Sequence, residues 1–174
     1  MNRLKYIILC IVSFIIVAIL QVNIVNKIQI FGVSANIFII YLVYINILND
    51  DQLINTIMSV LMGILFDICF GMVVGVYGIL GLILSIVTPI FCQRMSVEPR
   101  IGTMLYVFIT TFWIEAIYGI IYLFLTQSTL VLYNYILNIL IASIFNMLIT
   151  MCIHHMFSGI IKENSETNKI VRRY

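Results

Sequence analysis

Charge is the scarcest thing in this chain: nine Lys and Arg with seven Asp and Glu make up 9% of its 174 residues, while 63% are hydrophobic. A soluble domain carries roughly 25% charged and 45–50% apolar residues. With so few polar side chains the chain cannot cover a water-facing surface, and lipid has to solvate it. A net charge of +2, with no basic patch, gives no support to nucleic-acid binding. Cys10, Cys69, Cys92 and Cys152 are scattered through apolar runs without a CxxC or other metal spacing, and are expected as small buried hydrophobes. No HExxH, GxSxG or Walker loop occurs, and Asp67 with Glu115 makes no convincing protease pair. A non-enzymatic protein with no cofactor and no metal site is therefore expected. There is also no small-x-small cleavage site after the first apolar run. Arg3 and Lys5 precede Tyr6–Leu20, and the chain continues Gln21-Val22-Asn23-Ile24, so a retained first span is expected.

What is present is a succession of apolar runs. They predict an all-α integral membrane protein, a six-span helical bundle with spans at about 6–22, 33–48, 53–70, 72–91, 101–125 and 130–156. The membrane domain covers 1–157, and 158–174 is a polar tail. Ile24–Phe31 is expected to lie along the interface, and Pro89 falls near the end of span 4, where a helix tolerates the lost donor best. Span 2 is short for a crossing that needs roughly 20 residues. A re-entrant span 2 would reduce the count to five, and charge decides against it. With six spans and the N-terminus inside, Arg3, Lys5, Arg94, Arg100, Lys162, Lys169, Arg172 and Arg173 lie inside and only Lys27 outside. Both termini are thus expected in the cytoplasm.

A few polar residues interrupt the apolar spans. Asp67 and Glu115 each lie roughly 21 Å into their spans, in the outer half of the bilayer. Intramembrane acids mark either a polar site, an ion path or partner contact, or a hydrogen-bonded strut that fixes packing. Five of the nine glycines, Gly63, Gly71, Gly75, Gly78 and Gly81, crowd around Asp67. Gly71-x-x-x-Gly75 has the spacing that lets helices approach closely, and Gly78 and Gly81 extend that small surface. Its use is either internal packing or an interface with another membrane protein. Asn134, Asn138, Ala142 and Asn146 recur in steps of four beside Ser143, a stripe suited to interhelical hydrogen bonds or to ligand contact. Matching depths in antiparallel spans predict that Glu115 pairs with Asn138. His154 and His155 are adjacent and point to different helix faces, which suits interfacial solvation better than a shared metal. Trp113 is either an interface anchor or a packing residue.

Gly63-x-x-x-Asp67 closing span 3 and Gly75-Val76-Tyr77-Gly78-Ile79 opening span 4 resemble the rod shape-determining protein MreD family of bacteria. That family shows a G-(L/I)-L-x-D segment followed by a small-residue stretch. Gly63, Ile64, Leu65, Asp67, Gly75 and Gly78 match it. Members often open span 2 with a Pro-Asp pair, where this chain has Ser34-Ala35-Asn36. The resemblance implies a membrane component of the cell-elongation machinery in the bacterial plasma membrane. Its implied partners are an MreC-like single-span protein, the elongation-complex peptidoglycan synthases and, indirectly, an MreB-like actin homologue. It also implies a fold similar to the substrate-binding subunits of energy-coupling-factor transporters, so a small-molecule transport subunit is the alternative. Such subunits often carry Ala-x-x-x-Ala on span 1, where this chain has only Ala18.

Overall fold

A computed structural model of the protein describes residues 3–49, 51–70, 73–94, 99–126 and 135–153, with backbone alone at 48, 94, 99, 100, 122, 123, 125 and 126. The helices are α1 (Arg3–Asn23), α2 (Ile37–Leu48), α3 (Gln52–Phe70), α4 (Val76–Arg94), α5 (Pro99–Thr126) and α6 (Tyr135–Ile153). A 3-10 turn at Val25–Lys27 and a small hairpin, β1 (Gln29–Ile30) and β2 (Val33–Ser34), join α1 to α2. Among the described residues, five helices are long and apolar enough to cross a membrane, and α2 is the short exception. The architecture is that of an all-α, multi-pass membrane bundle. Its outer surface is consistent with lipid as solvent: Ile8, Ile15, Leu61, Ile79, Ile109, Ile120, Ile144 and Leu148 all face outward.

Side-chain contacts fix the helix directions. Arg3 pairs with Asp51 at 3.1 Å, and the Tyr6 hydroxyl is shared between the Ile45 carbonyl (3.0 Å) and Asn55 Oδ1 (2.9 Å). The start of α1, the end of α2 and the start of α3 therefore share one level. At the far end Gln21 Nε2 donates to the Ala35 carbonyl at 2.9 Å, so α2 begins where α1 finishes and runs back beside it. In the α3–α4 pair, Gly81 meets Ser59 and Gly63 meets Tyr77, an antiparallel register. Thr88 with Tyr106, and Tyr77 with Tyr118, make α4 and α5 antiparallel, as Thr111 with Asn146 and Glu115 with Tyr135 do for α5 and α6. Direction thus reverses at every connection, including the two that flank α2.

Twelve residues span about 18 Å, well short of ~30 Å of hydrocarbon. The expected span 2 from residue 33 is corrected here, because 29–34 form the hairpin and the helix starts only at Ile37. A helix this short leaves its orphan N–H and C=O groups to be met within the bundle. Neighbouring side chains serve them. Asn146 Oδ1 accepts the Asn36 N–H at 2.8 Å, and Gln21 Oε1 accepts the Ile37 N–H at 2.9 Å. At the other end Tyr6 serves the Ile45 carbonyl, while Asn46, a buried polar residue of α2 itself, donates through Nδ2 to the Leu42 carbonyl and to Ser59 Oγ. Along its length α2 is apolar on every face, as a helix packed on all sides must be. Phe38, Ile39, Leu42 and Val43 are fully buried.

Candidate functional site

The α3–α4 hairpin gathers most of the residues singled out in the sequence. A Cβ added to Gly63 would fall on the Tyr77 carbonyl oxygen, and one added to Gly81 on the Ser59 carbonyl oxygen. Only glycine lets these backbones touch. A Cβ on Gly78 would come within 2.7 Å of the Ile64 Cγ1, a side chain that can turn away. These three glycines are used inside the chain, so they offer no surface to another protein. Gly75 does something different. No described residue lies within 4 Å of its Cβ position, and its φ is +105°, which makes it a turn residue that starts α4 rather than a packing residue. Gly71 lies outside the described residues, so the Gly71–Gly75 pair is not described as a unit.

Asp67 closes the hairpin. It sits one turn before the end of α3, is 1% exposed, and reaches across to the first turn of α4. Its Oδ2 accepts the N–H groups of Gly75 (2.9 Å), Tyr77 (2.8 Å) and Gly78 (3.4 Å), and its Oδ1 accepts the Tyr118 hydroxyl at 3.2 Å. The first N–H groups of a helix have no intrahelical acceptor, and that end carries the positive pole of the helix dipole. One carboxyl from the preceding helix satisfies them, as an N-cap would from its own chain position. Every group facing Asp67 is a donor, so the site demands an acceptor. Of the two uses open for this acid, the geometry serves packing.

Aromatic rings fill the space around the clasp. Phe38 of α2 stacks on Phe66 at 4.1 Å, Tyr77 meets both edge-on, and Tyr118 lies 5.2 Å from Tyr77. Asn36 Nδ2 donates to the Tyr77 hydroxyl, while the buried Asn36 Oδ1 has no hydrogen-bond partner among the described residues. Asn146 Nδ2 donates to Thr111 Oγ1 at 3.0 Å, so one polar line joins α4, the start of α2, α6 and α5. Asn36 and Asn146 are thus the polar hub of this half of the bundle.

Other expectations divide. The Glu115–Asn138 pair does not form: Asn138 is exposed on α6, and the polar link at that depth is the Tyr135 hydroxyl donating to the Glu115 carbonyl at 2.6 Å. Tyr135 leans over Gly119, where a Cβ would strike its ring. Depth matched for Glu115 and Asn138, but rotation about the α6 axis did not. Ala142, Ser143 and Asn146 face inward, whereas Asn134, His154, His155 and the 158–174 tail lie outside the described residues. Only Cys10 is buried; Cys69, Cys92 and Cys152 face outward, which lipid tolerates as readily as a core does. Trp113 also faces outward. Pro89 lies inside α4, which continues to Arg94.

Fold and site together define a multi-pass membrane protein built around an internally clasped helical hairpin. Compared with known proteins, the chain matches no family model, no curated protein and no solved structure.

Proposed function

We propose that the protein is a non-enzymatic membrane component of the bacterial rod-shape machinery, working in the plasma membrane with both termini in the cytoplasm. The observation that carries this is the hairpin. Gly63, Asp67, Gly75 and Gly78, the residues that give the resemblance to the MreD family, lie on two helices yet meet in one structural unit. Supporting it, the six helix directions alternate, so the starts of α1 and α3 and the ends of α4 and α6 share a side. That side carries Arg3, Lys5, Arg94 and Arg100 in the chain. Its partners on this reading are an MreC-like single-span protein and, through it, the peptidoglycan synthases and an MreB-like filament. With Gly63, Gly78 and Gly81 occupied internally, the partner's helix would seat on an outward apolar face. The transport-subunit alternative needs a ligand chamber, and the space beside α2 in the outer half is filled by Phe38, Phe66, Tyr77 and Tyr118.

The test is complementation. In a rod-shaped bacterium depleted of its own MreD-family protein, expression of this chain restores rods and co-purifies an MreC-like protein. Persistent rounding with the chain present in the membrane, or co-purification of a transporter ATPase module instead, overturns the proposal.

A further inference from the structure

The connection between α1 and α2 carries an unusual turn. Ile30 pairs with Val33, leaving Phe31-Gly32 as a two-residue loop, with φ of +53° at Phe31 and +81° at Gly32. Two-residue hairpins need positive φ at these places, and Asn or Gly normally occupies the first of them. A bulky ring there is strained. Phe31 is also 87% exposed, and Ile28 and Ile30 beside it face outward at 53% and 41%. Packing among the described residues therefore gives no reason for an aromatic at this position.

Depth supplies one. Gln21 Nε2 donates to both Asn26 Oδ1 and the Ala35 carbonyl, so the chain leaves α1 and re-enters α2 at one level. That level is about 22 Å along α1 from Tyr6, and the hairpin projects beyond it, close to the far boundary of ~30 Å of hydrocarbon. Lys27 and Gln29 are exposed beside the apolar tip, which suits a segment at the headgroup boundary. Beyond the tip an open cleft is lined by Phe31 with Leu137, Asn138 and Ile141 of α6. We propose that this hairpin is an interfacial lipid anchor. Its Phe31 ring lies among the phospholipids of the leaflet opposite the start of α1, with an acyl chain filling the cleft against α6. By holding the tip at that boundary, the anchor sets the depth at which α2 begins.

The test places a reporter at the tip. Trp113 is the only tryptophan, so Trp113→Phe with Phe31→Trp leaves one fluorophore. In vesicles of phosphatidylcholine brominated on the upper acyl chain, its emission is expected to be largely lost, while aqueous iodide leaves it unchanged. Quenching by iodide would put the tip in water. Emission immune to both quenchers would mean that protein, a second copy included, covers it. Either outcome overturns the proposal. A second variant guards against misfolding: Asn suits the positive φ, so Phe31→Asn relaxes the turn. In lipid nanodiscs its amides from 29 to 34 are nevertheless expected to exchange faster than in the unaltered protein. Equal or slower exchange also overturns the anchor.

Discussion

Two antiparallel helix pairs sit side by side in this molecule and are joined by opposite means. In α3–α4, glycines bring backbone against backbone, and one short acid bridges the gap at the turn. In α1–α2, no glycine intervenes, and long side chains reach across: Tyr6 to the Ile45 carbonyl, Tyr41 to the Cys10 carbonyl and Gln21 to the Ala35 carbonyl. The first pair owes its fit to the absence of atoms, the second to their presence. A contact made by removal has no slack, since any added carbon meets main chain. A contact made by reach can shift by a rotamer, and water or a neighbour can replace it near the helix ends.

The largest effect should come from removing the clasp. Asp67→Ala leaves several N–H groups of α4 without an acceptor, at roughly 1–3 kcal/mol for each buried one. Thermal unfolding in detergent should fall sharply, and abundance in the membrane with it. Asp67→Asn keeps one oxygen for the N–H groups, and the Tyr118 hydroxyl can turn to accept from the amide. Its loss should therefore be much smaller, and equal losses for Ala and Asn would show that the acid acts through something other than its bonds to α4. Next comes Gly81→Ala, which forces α3 and α4 apart and should cost toward the upper end of ~1–3 kcal/mol. Gly75→Ala is its control: the site is open, so the cost is the strain of positive φ alone, and Gly75→Leu should match it closely. A Leu much worse than Ala at Gly75 would reveal a covering partner. The smallest effect belongs to the reaching pair. Tyr6→Phe should cost about 1 kcal/mol by the same unfolding measurement, because Asn55 keeps its bonds to Asn49. A loss as large as that of Gly81→Ala would erase the distinction between the two pairs.

Much of this architecture was legible in the chain, and the exceptions are instructive. Apolar run length located the five helices long enough to cross, because lipid demands that length, and it placed the short α2 with its start too early. The density of glycines pointed to α3–α4, though the Gly71-x-x-x-Gly75 spacing did not, and Asp67 stood out as an acid amid hydrophobes. What could not be read was rotation. Asn138 and Asn146 belong to one stripe, yet eight residues of helix turn the first outward while the second reaches Asn36. Gly75 and Gly78 looked alike as small residues, though one serves backbone conformation and the other packing. Nor does hydropathy separate lipid-facing from buried: α1 is the most apolar of the long helices and among the most exposed, whereas α2 is short and buried from Phe38 to Asn46. In a membrane both faces are oily, so the pattern that marks a soluble core is missing. The signal available was polar: Gln21, Asn36 and Asn55 interrupt apolar runs where α2 needs partners.

The way α2 is terminated also bears on how the chain is made. Gln21, earlier in the chain, serves the Ile37 N–H, but the N–H of the N-cap residue Asn36 waits for Asn146, 110 residues further along. At the ~5–20 residues per second of synthesis, that delay is on the order of ten seconds. Until then α2 is a half-length helix with that N–H unserved, held by α1 and, as each emerges, by α3, α4 and α5. The polar line from Tyr77 through Asn36 to Thr111 therefore closes only when α6 enters. Biogenesis of this bundle is complete only when its last helix arrives.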